Sequence, residues 1–326
     1  MDNKLTKKRL SDFLAYEWIL TIIIAVAAIV VWELVYTMSA VRLTAGQAFK
    51  YYYDESVTAV DDGRFYDMLI ENGTFSYDVK QLSSETLTSS YNVLSTRLSV
   101  YEGDVIFTDC TEKEDGSVRA KDLADTYGYN YERLLSDAKN YLAGFLKDGA
   151  TGEWDMLDYG NLDESKIEAH FGERSGKRVY KNSLKAGEIS VADEKERIKK
   201  LCSETADFKK LLECDAENLF FRYTRFEQSL ATAEERNKPN YEKAVEDEKN
   251  AGRENAIYGL NLAALKCYGG VSSGKKEVTD IVKYVGTAEA DGVTLLVFDF
   301  KSEQPDLQYE AIAFINAVVR ACSDII

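Results

Sequence analysis

Thr108, Asp109 and Cys110 follow the apolar residues of "VIFTD" directly, and they bring a hydroxyl, a carboxylate and a thiol to one strand end. A carboxylate beside a hydroxyl can take the amine or hydroxyl groups of a small solute, and a thiol can act as a nucleophile once a base activates it. Tyr53 and Asp54 close an earlier aromatic run, "AFKYYYDESV", which fits a strand or an extension of the N-terminal apolar helix; as a strand it brings them near the same end. Trp154, with Tyr127, Tyr129 and Tyr131 upstream, has the flat faces that stack on a sugar ring. Each has a plainer reading beside it. Asp109 caps the turn that follows it, and Trp154 anchors its own loop by packing.

No catalytic set accompanies these residues. The chain has one histidine, His170, and carries no G-x-S-x-G and no H-E-x-x-H. The five cysteines, Cys110, Cys202, Cys214, Cys267 and Cys322, have no C-x-x-C spacing, so neither a structural zinc nor an assignable disulfide framework is expected. "GGVSSGKK" comes close to a phosphate-binding loop, but Lys276 stands where a Ser or Thr should hold Mg²⁺. We therefore expect no enzyme, no cofactor and no metal, with Tyr53, Asp54, Thr108, Asp109 and Trp154 as the ligand-binding candidates. "NGT" at Asn72 matches a glycosylation acceptor, and a Gly-containing turn explains it as well.

The elements that must position them follow from periodicity. "FSYDVKQL" alternates Phe75, Tyr77 and Val79 against polar neighbours, which predicts a half-buried strand. Ser83 and Ser84 can then cap a helix whose stripe is Leu87, Tyr91, Leu94, Leu98 and Tyr101. The helix ends at Gly103, and Val105, Ile106 and Phe107 form a run without alternation, as in a central strand buried on both faces. Strand, helix, strand is the unit of a parallel sheet, and in open α/β sheets ligands bind outside the carboxyl ends of the strands. That rule makes Asp54 and Asp109 eligible for a site.

Further along, "RFYDMLIEN" reads as a short helix ending at Asn72 and Gly73, and residues 129–146 and 193–212 read as helices. "DEKERIKK" is expected to be a solvated helix face, and "TAEERNKPNYEKAVEDEKNAGREN" a solvated hairpin, insertion or loop. "LFFRYTRF" fits a strand or a continued helix. "AIYGLNLAAL" and "GVTLLVFDF" predict strands, "EVTDIVKYV" a helix, and the C-terminal apolar stripe from Leu307 to Cys322 another.

Ahead of all this, residues 18–32, "WILTIIIAVAAIVVW", carry no charge. Their rise of about 22 Å falls short of a hydrocarbon core of about 30 Å. Continued through "ELVYTMSA", a helix over 17–40 spans, with Trp18, Trp32 and Tyr36 suited to the interfaces. No small-x-small cleavage site follows, since Met38 occupies the position in "MSA", so a retained signal anchor is expected in preference to a cleaved peptide or a buried core helix. Lys4, Lys7, Lys8 and Arg9 precede the span, which puts 1–16 in the cytoplasm as a tail and 41–326 outside as the ectodomain. The net charge of −16 argues against nucleic acid as a partner.

At "LSTRLSVYEGDVIFTD" the chain resembles extracellular solute-binding proteins of bacterial uptake systems, and "YGLNL" and "LLVFDFKSEQPDLQYEAIAFINAVV" look like parts of membrane-anchored relatives of those binders. The resemblance implies an α/β, two-lobed periplasmic-binding-like ectodomain behind an N-terminal transmembrane helix, with solute held between lobes that close by a hinge. It implies a role as a ligand-binding or accessory component of solute uptake in the cell membrane, beside a transporter permease or another envelope protein. The alternative is a non-catalytic envelope assembly protein that keeps the fold in degenerate form. The chain departs from that family in two ways: a transmembrane helix replaces a lipidated cysteine, and Trp154 is the one tryptophan outside the anchor region, where sugar-binding members offer more aromatic side chains in the cleft.

Overall fold

The computed structural model describes residues 7–13, 18–39, 48–59, 64–75, 79, 81–87, 91–99, 102–148, 159–172, 191–214, 218–265, 290–299 and 309–322. The chain falls into two compact units, Met1–Arg42 and Leu43–Ile326. In the first, α1 (Lys7–Asp12) precedes α2 (Trp18–Ser39), 22 residues long. α2 holds the one helix segment among the described residues that is long and apolar enough to cross a membrane, Trp18–Val35.

The second unit is built on a mixed six-stranded sheet in the order β2-β1-β3-β6-β5-β4. Its strands are β1 (Ala48–Asp54), β2 (Gln81–Leu87), β3 (Val105–Asp109), β4 (Phe220–Tyr223), β5 (Ala256–Asn261) and β6 (Val293–Val297). β1 runs parallel to β2 and β3, and the remaining neighbours pair antiparallel. The chain passes from β1 through α3 (Arg64–Glu71) to β2, then through α4 (Tyr91–Ser99) to β3 on the far side of β1. The two crossovers cover opposite faces, as right-handed connections in opposite directions must.

Strand alternation divides the core accordingly. Tyr51 and Tyr53 of β1, Phe107 of β3 and Leu295 of β6 point to one face, where they meet Phe65 and Leu69 of α3. α6 (Tyr131–Ala143), α7 (Glu164–Gly172), α8 (Val191–Leu212) and α12 (Tyr309–Cys322) fill the same side. Its hub is Phe314, fully buried, with ring centroids of Phe49, Tyr51, Phe65 and Phe107 at 5.1, 5.5, 5.5 and 6.2 Å. Truncating such a ring to alanine costs about 3–5 kcal/mol. Tyr52, Ile106, Leu296 and Tyr258 face the other way, against Leu94 and Leu98 of α4 and Leu123 of α5 (Arg119–Tyr127).

α3 ends as its sequence predicts. Gly73 takes φ +57°, its N–H donates to the Ile70 carbonyl at 3.0 Å, and the Thr74 N–H donates to the Leu69 carbonyl at 3.0 Å. This double closure needs a left-handed residue, and glycine adopts that conformation without a Cβ penalty. The turn thus accounts for "NGT".

Three expectations are corrected. Residues 81–87 are strand, so Ser83 and Ser84 cap no helix; they pair with Lys50 and Tyr51 of β1, and α4 begins only at Tyr91. The polar stretch after "LFFRYTRF" contains a 13-residue helix, α10 (Lys238–Asn250), with Pro at its first turn, where a missing N–H is harmless, and Val245 and Glu248 buried. It follows the short α9 (Glu227–Thr232). "DEKERIKK" is not wholly solvated, because Glu194 and Arg197 of α8 form a buried ion pair at 2.8 Å. "LFFRYTRF" resolves into β4, and β5 passes into the four-residue α11 (Leu262–Leu265). The readings for "GGVSSGKK", "EVTDIVKYV" and Trp154 lie outside the described residues.

Candidate functional site

Parallel β1 and β3 deliver Asp54 and Asp109 to the same end of the sheet, since Tyr53 lies beside Phe107 in register. Asp54 is 1% exposed and its carboxylate is fully engaged. Arg119, the first residue of α5, donates to it from Nε at 3.1 and 3.2 Å and from Nη2 at 2.9 Å. Ser56 adds its hydroxyl at 2.6 Å. A bidentate guanidinium is the geometry that best matches a buried carboxylate.

Asp109 is half-buried and accepts from the Thr111 N–H at 2.8 Å and from the Thr111 hydroxyl, an Asx-type turn. Its own N–H donates to Ser56 Oγ at 3.4 Å, which ties the two strand ends together. Next to it, the Cys110 N–H donates to the Gly292 carbonyl at 2.7 Å, and Cys110 Sγ lies 3.9 Å from Asn261 Oδ1. Burial, with the Asp109 charge in support, pushes the Cys110 thiol up, so it stays protonated near neutral pH and is a poor nucleophile.

The five candidates therefore part company. Asp54, Thr108 and Asp109 gather at one strand end, but Thr108 is wholly buried and its hydroxyl has no hydrogen-bond partner among the described residues. It sits opposite Thr294 of β6, whose hydroxyl is equally buried and unpartnered. Tyr53 points away from Asp54 and Thr108, into the core, and stacks on Phe107 at 5.3 Å. Trp154 is outside the described residues. Arg119 and Thr294 escaped sequence reasoning: a lone basic residue at a helix start and a threonine inside an apolar strand carry no motif.

A separate shallow concavity, open to solvent, lies between α8, α12 and the turn after α3, lined by Thr74, Arg197, Lys200, Leu201, Glu204, Glu310 and Ala313. Its polar groups are also spoken for. Lys200 Nζ donates to the carbonyls of Gly73, of Thr74 at 2.6 Å and of Phe75 at 3.4 Å, a cation closing a helix C-terminus. Burial holds its ammonium below the ordinary lysine range. Glu204 receives Asn316 Nδ2 at 2.7 Å and Arg320 Nη1 at 3.1 Å. Among the described residues, no group of three or more His, Cys, Asp or Glu is arranged to hold a metal ion. No family model, curated protein or solved structure matches the chain.

Proposed function

We propose that this chain is a single-pass, non-catalytic interaction protein of a bacterial envelope. In this reading 17–40 hold it in the bilayer with residues 1–16 in the cytoplasm, and the α/β unit engages another envelope protein outside. The observation that carries it is the closure of the strand ends: Arg119 and Ser56 occupy Asp54, and Asp109 folds back on Thr111. The place where an open α/β sheet would take a solute is filled by the chain's own groups. The uncharged α2, long enough to cross a bilayer, supports the anchor.

A second reading keeps solute capture, with the two-lobed periplasmic-binding-like fold. It is favoured by the crossovers on opposite faces of β1 and by the convergence of Asp54, Thr108 and Asp109 at one strand end. The domain would then serve an uptake system as a binding or accessory component beside a permease.

Thermal unfolding of the full chain in detergent, with amino acids, sugars and short peptides added in turn, separates the two. A ligand at a hundredfold its Kd stabilises by about 2.7 kcal/mol, a shift of several degrees. The interaction reading expects no saturable shift with any class. A saturable rise with one class overturns it in favour of solute capture.

A further inference from the structure

We propose that the outer edge of β2 is where two copies of this chain join, their sheets continuing into one another across a two-fold axis. The two edges of the sheet are built differently. β4 is four residues long and its register shifts between Phe221 and Arg222, an irregularity that protects an edge from pairing. β2 runs for seven residues in unbroken parallel register with β1 and ends the strand order. Its sequence, "QLSSETL", has no proline, lysine or arginine to deter a neighbour.

Apolar side chains gather beside that edge. In the α/β unit the exposed large hydrophobic residues among those described are Tyr66, Ile70 and Val93, and all sit on the two helices that flank β2. Phe65 and Leu69 turn α3 toward the core, and Tyr66 and Ile70 each lie about 100° further round it. In a right-handed crossover from β1 to β2 that flank is the one on the outer side of β2. On the opposite face Val93 precedes Arg97 by one helical turn. Arg97 reaches Glu85 on β2, so Val93 shares the β2 side of α4.

A second copy fits this edge on every count. A two-fold axis normal to the sheet and through Ser84 lays β2 antiparallel to its double and uses all seven residues. Ser84 then meets Ser84, Leu82 meets Thr86, and Glu85, the one charged residue of the strand, meets Ser83 of the second copy. Centring on Glu85 instead would set like charges opposite each other. The same axis turns Tyr66 and Ile70 toward their doubles on one face of the joined sheet and Val93 toward its double on the other. Any other partner would have to match a neutral strand and an apolar rim on both faces, which a second copy does by symmetry.

Sedimentation equilibrium of the full chain in density-matched detergent reads the association. We expect a dimer for the parent. Ser84→Lys and Ser84→Glu each put like charges face to face at the axis and should be monomeric, whereas an equimolar mixture of the two should regain the dimer. Ile70→Ser and Val93→Ser change exposed side chains, leave the fold intact and should each weaken association about fivefold. A parent that is monomeric at every concentration overturns the contact. So does a Ser84→Lys chain that dimerises like the parent, which would place the association elsewhere, α2 included. Folded Ser84→Lys and Ser84→Glu chains that fail to pair when mixed overturn it as well. Where circular dichroism shows either Ser84 variant unfolded, the helix variants decide: parent-like association of both Ile70→Ser and Val93→Ser overturns it.

Discussion

Arg119 clasps Asp54 from 65 positions away in the chain, with Nη2 at 2.9 Å from Oδ1, and fastens α5 to the end of β1. Asp54 is 1% exposed and the Arg119 side chain 16%, so the pair lies largely out of water. Removing one member leaves a buried charge uncompensated, at a cost of about 3–5 kcal/mol. Arg119→Met should therefore lower the free energy of unfolding by that order in urea titrations. The double variant Asp54→Asn, Arg119→Met should lose less than Arg119→Met alone. A single variant within about 1 kcal/mol of the parent would show that the clasp is not structural.

Thr108 and Thr294 face each other across β3 and β6 with both hydroxyls buried and unpartnered. A buried hydroxyl without a hydrogen bond is a desolvation loss of about 1–3 kcal/mol. Thr108→Val and Thr294→Val keep the branched shape while removing it, so each should be neutral or stabilising by up to about 1 kcal/mol. Denaturation midpoints decide the matter. A clear loss of stability from either change would mean that an internal water bridges the two hydroxyls and that the sheet depends on it.

Where the fold was legible, the residues had no competing choice. Val105, Ile106 and Phe107 are buried on both faces of a central strand, and the same holds for β6, so continuous apolar runs sufficed. Ile198, Leu201, Phe208 and Leu211 of α8 gave the helical period directly, and all four are core. β2 was misread because it is an edge strand with an alternating polar face. Its Ser83 and Ser84 look like caps until the parallel ladder to β1 is known. α10 was missed because its surface is almost entirely charged, and burial of Val245 and Glu248 leaves too faint a stripe. At the candidate site, Asp54 and Asp109 were legible from strand polarity. Arg119 was not, because pairing across 65 residues leaves no local pattern.

Glu85 on β2 lies between Arg97, which donates from Nη2 at 2.6 Å, and Lys50 at 3.0 Å. The Arg97 hydrogen bonds, helped by Lys50, hold its carboxyl below the ordinary value of 4.5. A depressed carboxylate contributes stability that is fully present above its unfolded value and is lost as pH falls through the folded one. The contribution should therefore disappear below about pH 4.5. Acid titrations followed by circular dichroism should show a shallower acid limb for Glu85→Gln than for the parent. Coincident limbs would assign acid unfolding to other carboxylates. The Glu85 side chain is 38% exposed, so the effect is expected to be small and to shrink in high salt.

Gly103, between α4 and β3, has φ +112°, and a Cβ placed there would fall 2.3 Å from Tyr52 Cε2. Tyr52 cannot yield, because its ring is wholly buried, Leu94, Leu98 and Ile106 share its cluster, and Lys50 and Arg97 lie over its face at 5.5 and 5.8 Å. Gly103→Ala therefore combines backbone strain with overpacking, each about 1–3 kcal/mol. A loss of about 2–5 kcal/mol is expected in urea unfolding. The double variant Gly103→Ala, Tyr52→Leu removes the clash but keeps the strain, so the two changes together should cost less than their sum. Strict additivity would place the whole penalty in the backbone. A neutral Gly103→Ala would mean that the turn between Glu102 and Asp104 can move, and with it the 2.8 Å hydrogen bond from the Lys50 N–H to the Asp104 carboxylate that holds this turn to β1.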